Sequence, residues 1–172
     1  MEYCYVEFKV KNEEKLNRLK LIFEVIKEDK NNEVQDTDGK WIKLFSDTEL
    51  DEFWWPNEQE YEETRKNLGN VYIKVVSIND NKQEDWDIYS MFEAIKDGEY
   101  ELIGIRKISN STYRLEFNPF AYPFGGIDSI RKLISCIGHS VVAVDDGTGR
   151  LIFNMNGFFE YQMKKKPWWK FW

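Results

Sequence analysis

Residues 141–153 read V-V-A-V-D-D-G-T-G-R-L-I-F, two apolar runs separated by a handful of turn residues. Parallel strands need a crossover of roughly a dozen residues or more, and this connection is too short to supply one. The two runs must therefore pair antiparallel. Asp-Gly and Thr-Gly suit the bend, because glycine accepts positive φ and aspartate bonds to nearby backbone N–H groups. A second pair of runs, 99–108 and 112–118, meets across Ser109-Asn110-Ser111, with Tyr113, Leu115 and Phe117 alternating along the return. Two local hairpins commit much of the chain to an antiparallel sheet.

The remaining punctuation places helices around that sheet. Residues 2–10 set Cys4, Val6, Phe8 and Val10 on one side of a half-buried strand. Asn12 caps a helix that carries Leu16, Leu19, Ile22, Phe23 and Ile26 at helical spacing, and residues 27–32 are expected to form a solvated loop. Asp38-Gly39 marks a turn, and 41–45 reads as a short strand. Ser46 with Glu49 is a capping-box pair, which predicts a helix over 47–54 that Pro56 ends. A polar helix is expected over 57–67 with Gly69 as its stop, a β-branched strand over 71–78, and a helix over 86–96 capped by Asp85 and ended by Gly98. An aromatic loop at 119–126 leads to a helix over 127–137, stopped by Gly138, and a last strand falls near 158–162. The expected fold class is α+β: a single domain over 1–163, with a mainly antiparallel sheet and three to five helices packed on it, followed by a basic-aromatic C-terminal tail at 164–172.

Composition narrows the function classes. The chain has 172 residues, a formal charge of −7 and 12 Phe, 9 Tyr and 7 Trp. So many aromatics are hard to bury with every indole N–H and phenol O–H satisfied, which points toward recognition at the surface. Four of the 24 bases lie in the tail, and the remaining 20 against 31 acids leave the body at −11. Such a body repels nucleic-acid phosphate and steers basic partners inward. No run approaches the roughly 18 apolar residues of a spanning helix. The start, M-E-Y-C-Y-V-E-F, lacks a signal-peptide pattern, and two cysteines make no disulfide framework, so a reduced cytoplasmic setting is expected.

Catalytic motifs fail on inspection. Haloacid-dehalogenase-type phosphatases carry D-x-D-G-T at a strand end. Aligning Asp146-Gly147-Thr148 with it puts Val144 where the nucleophile should stand, with too little chain afterwards for the rest of a site. His139 and Cys136 are close in sequence, but a helix-end histidine meeting backbone carbonyls and a core-facing thiol account for both. Gly125-Gly126 lacks the Lys-Ser/Thr of a P-loop and the third glycine of a dinucleotide fingerprint. No catalytic residue, metal ligand or cofactor is assigned.

Two stretches remain. Residues 47–63, D-T-E-L-D-E-F-W-W-P-N-E-Q-E-Y-E-E, surround aromatics with carboxylates and contain no base. One helix cannot hide adjacent Trp54 and Trp55 on a single face. The expected partner-binding residues are Asp51, Glu52, Glu58 and Glu62, which would pair with Lys or Arg, and Trp54, Trp55 and Tyr61, which would anchor. The tail K-K-K-P-W-W-K-F-W could pack on an acidic body, lie on an anionic membrane or stack on single-stranded nucleic acid. The charge of the body weighs against the last.

From Tyr113 to Gly149 runs a further pattern: Arg114 and Phe117 in a strand, Pro119 then Tyr122-Pro123-Phe124-Gly125-Gly126, a short helix ending at Gly138, and the Asp-Asp-Gly-Thr-Gly turn. It resembles small bacterial proteins, some of them similar to immunity proteins of polymorphic toxin systems. The resemblance implies a non-enzymatic role, neutralising a basic toxin by covering its active surface. It carries no functional residue onto this chain. The alternatives are a small cytoplasmic enzyme with a site at loops 119–128 and 145–150, and a peripheral membrane adaptor tethered by the tail.

Overall fold

The computed structural model describes residues 3–34, 39–69, 72–77, 86–121, 124, 126–153 and 159–162, the last in backbone only. Six strands, β1 (Cys4–Lys9), β2 (Tyr100–Lys107), β3 (Thr112–Pro119), β4 (Ser140–Asp145), β5 (Arg150–Phe153) and β6 (Phe159–Gln162), form one sheet in the order β2-β3-β1-β4-β5-β6. Every pairing is antiparallel. The domain is a single α+β unit.

Register follows from the hairpins. Val144 faces Leu151 and Asp145 faces Arg150 across the 145–150 turn, where Gly147 and Gly149 take φ of 96° and 148°. These values are open to glycine at no steric cost. β1 inserts between β3 and β4, pairing Val6 with Leu115 on one side and with Val144 on the other. Strand alternation then sends Val6, Phe8, Leu115, Phe117 and Val144 to the same face. Onto it pack α1 (Glu13–Asn31) and α5 (Asp128–Cys136), which bury Leu19 and Phe23, and Leu133 and Ile134, while α4 (Ile88–Asp97) packs against both helices and buries Met91 and Phe92.

The opposite face departs from the expected half-buried strand. Tyr5, Glu7, Glu116 and Asp145 are all buried there. Glu7 lies directly across from Arg114, accepts its Nε–H at 2.8 Å and accepts Arg150 at 2.9 Å through its other oxygen. The Arg114 guanidinium sits 3.7 Å from the centre of the Tyr5 ring, and Arg106 donates two hydrogen bonds to Glu116. Carboxylates on β1 and β3 are thus buried because each meets an arginine on a neighbouring strand.

Other elements also differ from the sequence expectation. The first helix continues through residues 27–31 instead of giving way to a loop, because its last turn is held from outside. Asp29 accepts Trp41 Nε1–H at 2.7 Å and Lys40 at 2.6 Å, and Lys30 donates to the Ile95, Lys96 and Gly98 carbonyls at the end of α4. Residues 41–45 are not a strand. Ile42–Leu44 form a 3-10 turn, and the buried set Trp41, Ile42 and Phe45 has helical spacing that places Trp41 and Phe45 both on Phe92. α2 covers Asp47–Leu50 alone and α3 covers Tyr61–Leu68. Residues 72–77 make one isolated bridge, Val76 with Asn57, and stay outside the sheet. The cap of α4 is Asp87, which accepts Ser90 N–H at 3.0 Å. Asp85, Asp38 and the tail at 163–172 lie outside the described residues. No described helix is long and apolar enough to cross a membrane.

Candidate protein-binding groove

The acidic-aromatic segment folds in three pieces. Glu49 draws back to accept Ser46 N–H at 2.8 Å and Arg18 at 2.6 Å, which fixes α2 as a short turn that buries Glu49 and Leu50. After Leu50 the chain makes one more turn, with Asp51 still helical and Phe53 N–H reaching the Leu50 carbonyl at 3.3 Å, and residues 54–56 then leave it in neither helix nor strand. Phe53 and Trp55 go inward, and Trp54 goes outward and is half-buried. Trp55 is 5% exposed and donates its indole N–H to the Leu50 carbonyl at 2.7 Å. Trp54 N–H bonds the Trp86 carbonyl at 2.9 Å, tying this strip to the entry of α4. Asn57 then starts the next turn, accepting Gln59 N–H at 2.9 Å while Glu60 accepts its own N–H at 3.1 Å.

These pieces and α4 enclose a groove of about 260 Å³. Trp54, Trp55, Pro56, Leu68 and Ile73 supply apolar walls, and Thr64, Asn67, Ser90 and Glu93 supply polar groups. Exposed apolar residues adjoin it. Leu68, in its lining, is 37% exposed, Tyr72, 50% exposed, packs edge-on against Trp55 at 6.0 Å, and Val75 of the same 72–77 segment is 41% exposed. Tyr72 is pinned by the Tyr89 hydroxyl, which donates to its carbonyl at 2.8 Å. Exposed apolar residues gathered beside a concavity, and not scattered singly, are the kind of surface that marks a contact site.

The seven residues singled out in the sequence divide by this geometry. Trp54 lines the groove with one side open, and Trp55 forms its inner wall. Tyr61 is half-buried at the start of α3, and Glu58 and Glu62 are exposed without an ion pair among the described residues. Asp51 pairs with Lys74, and Glu52 gives its backbone carbonyl to Lys132 while its carboxylate stays exposed. Leu68, Tyr72, Ile73, Val75 and Glu93 were missed. They come from later elements, and the signal that could have found them is weak: Tyr72 and Val75 sit in a run that reads as an ordinary strand.

Of the alternative site at loops 119–128 and 145–150, residues 122, 123 and 125 lie outside the described residues. In the 145–150 turn Asp145 accepts Gly147 N–H at 3.0 Å, and Asp146 accepts both Thr148 N–H at 2.9 Å and its hydroxyl at 2.7 Å. Those carboxylates build the bend. A larger, polar hollow of about 510 Å³ lies near the ends of α1 and α4 and includes Phe120. One of its cations, Lys30, is held by the Ile95, Lys96 and Gly98 carbonyls at the C-terminal end of α4, and burial lowers its pKa. Cys136 is buried, donates to the Leu133 carbonyl at 3.1 Å, and has its thiol pKa pushed up by that burial. Only the backbone N–H of His139 follows the helix-end expectation, reaching the Ile134 carbonyl at 3.3 Å. Its ring stacks 5.5 Å from Phe8, because the turn at Gly138 swings it into the core. Among the described residues no three His, Cys, Asp or Glu side chains converge as a metal would require. No family model, curated protein or solved structure matches the chain.

Proposed function

We propose that this chain is a non-enzymatic binding protein that neutralises a basic protein by covering it with the surface around Trp54. The observation that carries the reading is a groove with largely apolar walls that Glu93 also lines, formed by the segment in which Glu58 and Glu62 are exposed, all three carboxylates without an ion pair among the described residues. Small-molecule sites usually enclose about 300–1,000 Å³ and bury most of their ligand. A smaller, open groove suits a protruding side chain of another protein better. Aromatic area at the centre supplies affinity, and surrounding carboxylates accelerate encounter with a basic partner and reject acidic ones. The resemblance of 113–149 to immunity proteins makes a toxin of the same cell a reasonable partner, met in the cytoplasm.

The test is kinetic. The basic partner is recovered from the native cell, and its association rate is measured against the wild-type chain and a Glu58→Lys, Glu62→Lys variant over a range of salt. The reading expects the association rate to fall about 10-fold or more in the variant, and to lose its salt dependence. Equal rates at every salt concentration would contradict it.

A further inference from the structure

We propose that the groove seats one arginine side chain of the partner, flanked in its own chain by further bases. This rests on the protein-binding reading above and names what that site recognises. The groove combines apolar walls with a carboxylate. Glu93 lines it, is exposed, and has no ion pair among the described residues. A leucine or phenylalanine would use the walls alone, whereas a cationic side chain uses the walls and gives that carboxylate a partner. The second carboxylate in the lining, Asp87, is already used. Its oxygens accept Ser90 N–H at 3.0 Å and Ser90 Oγ–H at 2.5 Å, and so neutralise the positive end of α4. Glu93 is therefore the carboxylate of the lining left for a guest.

The walls choose among cations. An arginine stem is apolar enough to lie along Leu68, Ile73 and Pro56. Its planar guanidinium stacks on an aromatic face and forks onto a carboxylate, a combination that the compact ammonium of lysine does not reproduce. Trp54 and Glu93 offer those two features in one groove. The outer carboxylates of Glu58 and Glu62 remain for the neighbouring bases.

The probes are N-acetyl-arginine methylamide, its lysine counterpart and its norleucine counterpart, titrated into the full chain and followed by NMR at the Trp54 indole N–H and the Leu68 methyls. The expected result is a saturable shift with arginine, a weaker one with lysine and none with norleucine. Glu93→Gln, a change at an exposed position, should weaken arginine binding roughly 5-fold to 10-fold without altering the fold. Norleucine binding as tightly as arginine, or arginine binding untouched by Glu93→Gln, would overturn the assignment. Affinity for the intact basic partner is then measured with the same variant. If Trp54→Ala weakens that complex and Glu93→Gln does not, the arginine seat is wrong and the binding surface stands. If neither variant weakens it, both readings fall.

Discussion

Replacing Gly98 by alanine should destabilise the protein by about 1–2 kcal/mol, and the figure can be worked from one contact. Gly98 has φ −56° and ψ 137°, which any residue adopts, so its backbone is not the reason for glycine. A Cβ built there would lie 2.2 Å from Cε1 and 2.6 Å from Cζ of Tyr100. Ordinary contact is more than 1 Å longer. The ring cannot withdraw. Tyr100 is fully buried, with Phe117 at 5.4 Å, Phe124 at 5.9 Å and Lys30 Nζ at 4.8 Å from its centre. Forcing a methyl into a packed core costs about 1–3 kcal/mol. Alanine returns about 0.4–1 kcal/mol by restricting the unfolded chain. Because the ring cannot withdraw, the cost lies in the upper part of its range, and the balance is a net loss of about 1–2 kcal/mol, or a Tm lower by roughly 2–8 °C for a chain of this size. The assay is urea unfolding at constant m, with Gly104→Ala as the control, since a Cβ at Gly104 meets no heavy atom within 4 Å. Equal stability of the two variants would refute the packing argument.

Trp41→Phe keeps the stacking on Phe92 at 4.8 Å but removes the N–H bonded to buried Asp29, and should cost about 1–3 kcal/mol by denaturant titration. Trp55→Ala should cost about 3–5 kcal/mol, and Trp54→Ala clearly less, because Trp55 is buried and Trp54 only half-buried. His139 is 4% exposed, and burial lowers its pKa below the usual 6.5, opposed in part by a hydrogen bond with the Lys15 backbone and helped by the Lys15 and Lys11 charges. The unfolded chain therefore binds a proton that the folded chain resists. Stability should be full above pH 6.5 and decline as the pH falls from there toward the folded-state pKa, and His139→Phe should flatten that decline in unfolding curves taken between pH 7 and 5.

The parts of this fold legible in the sequence are those set by neighbours in the chain. The hairpin at 145–150, the Asn12 cap, whose side chain accepts Glu14 N–H at 2.7 Å, and the helix ending near Gly138 all depend on a few adjacent residues. What stayed hidden depends on distant partners. Asp29 and Lys30 look like loop residues until Trp41 and the end of α4 arrive to bond them. Glu7 looks solvent-facing until register brings Arg114 opposite, 107 positions along. The candidate site divides in the same way. The 47–63 segment announces itself by composition, and Trp54 does reach the surface. The groove, however, needs Leu68, Ile73 and Glu93, whose neighbourhood arises from the isolated Asn57–Val76 bridge and from the bond between Trp54 and Trp86.

The most direct measurement of the central claim is the affinity of Trp54→Ala for the basic partner, compared with wild type by calorimetry at one salt concentration. A central indole supplies about 2 kcal/mol, so the account predicts a dissociation constant roughly 30-fold weaker with the fold intact. An unchanged constant would place recognition on some other surface of the molecule.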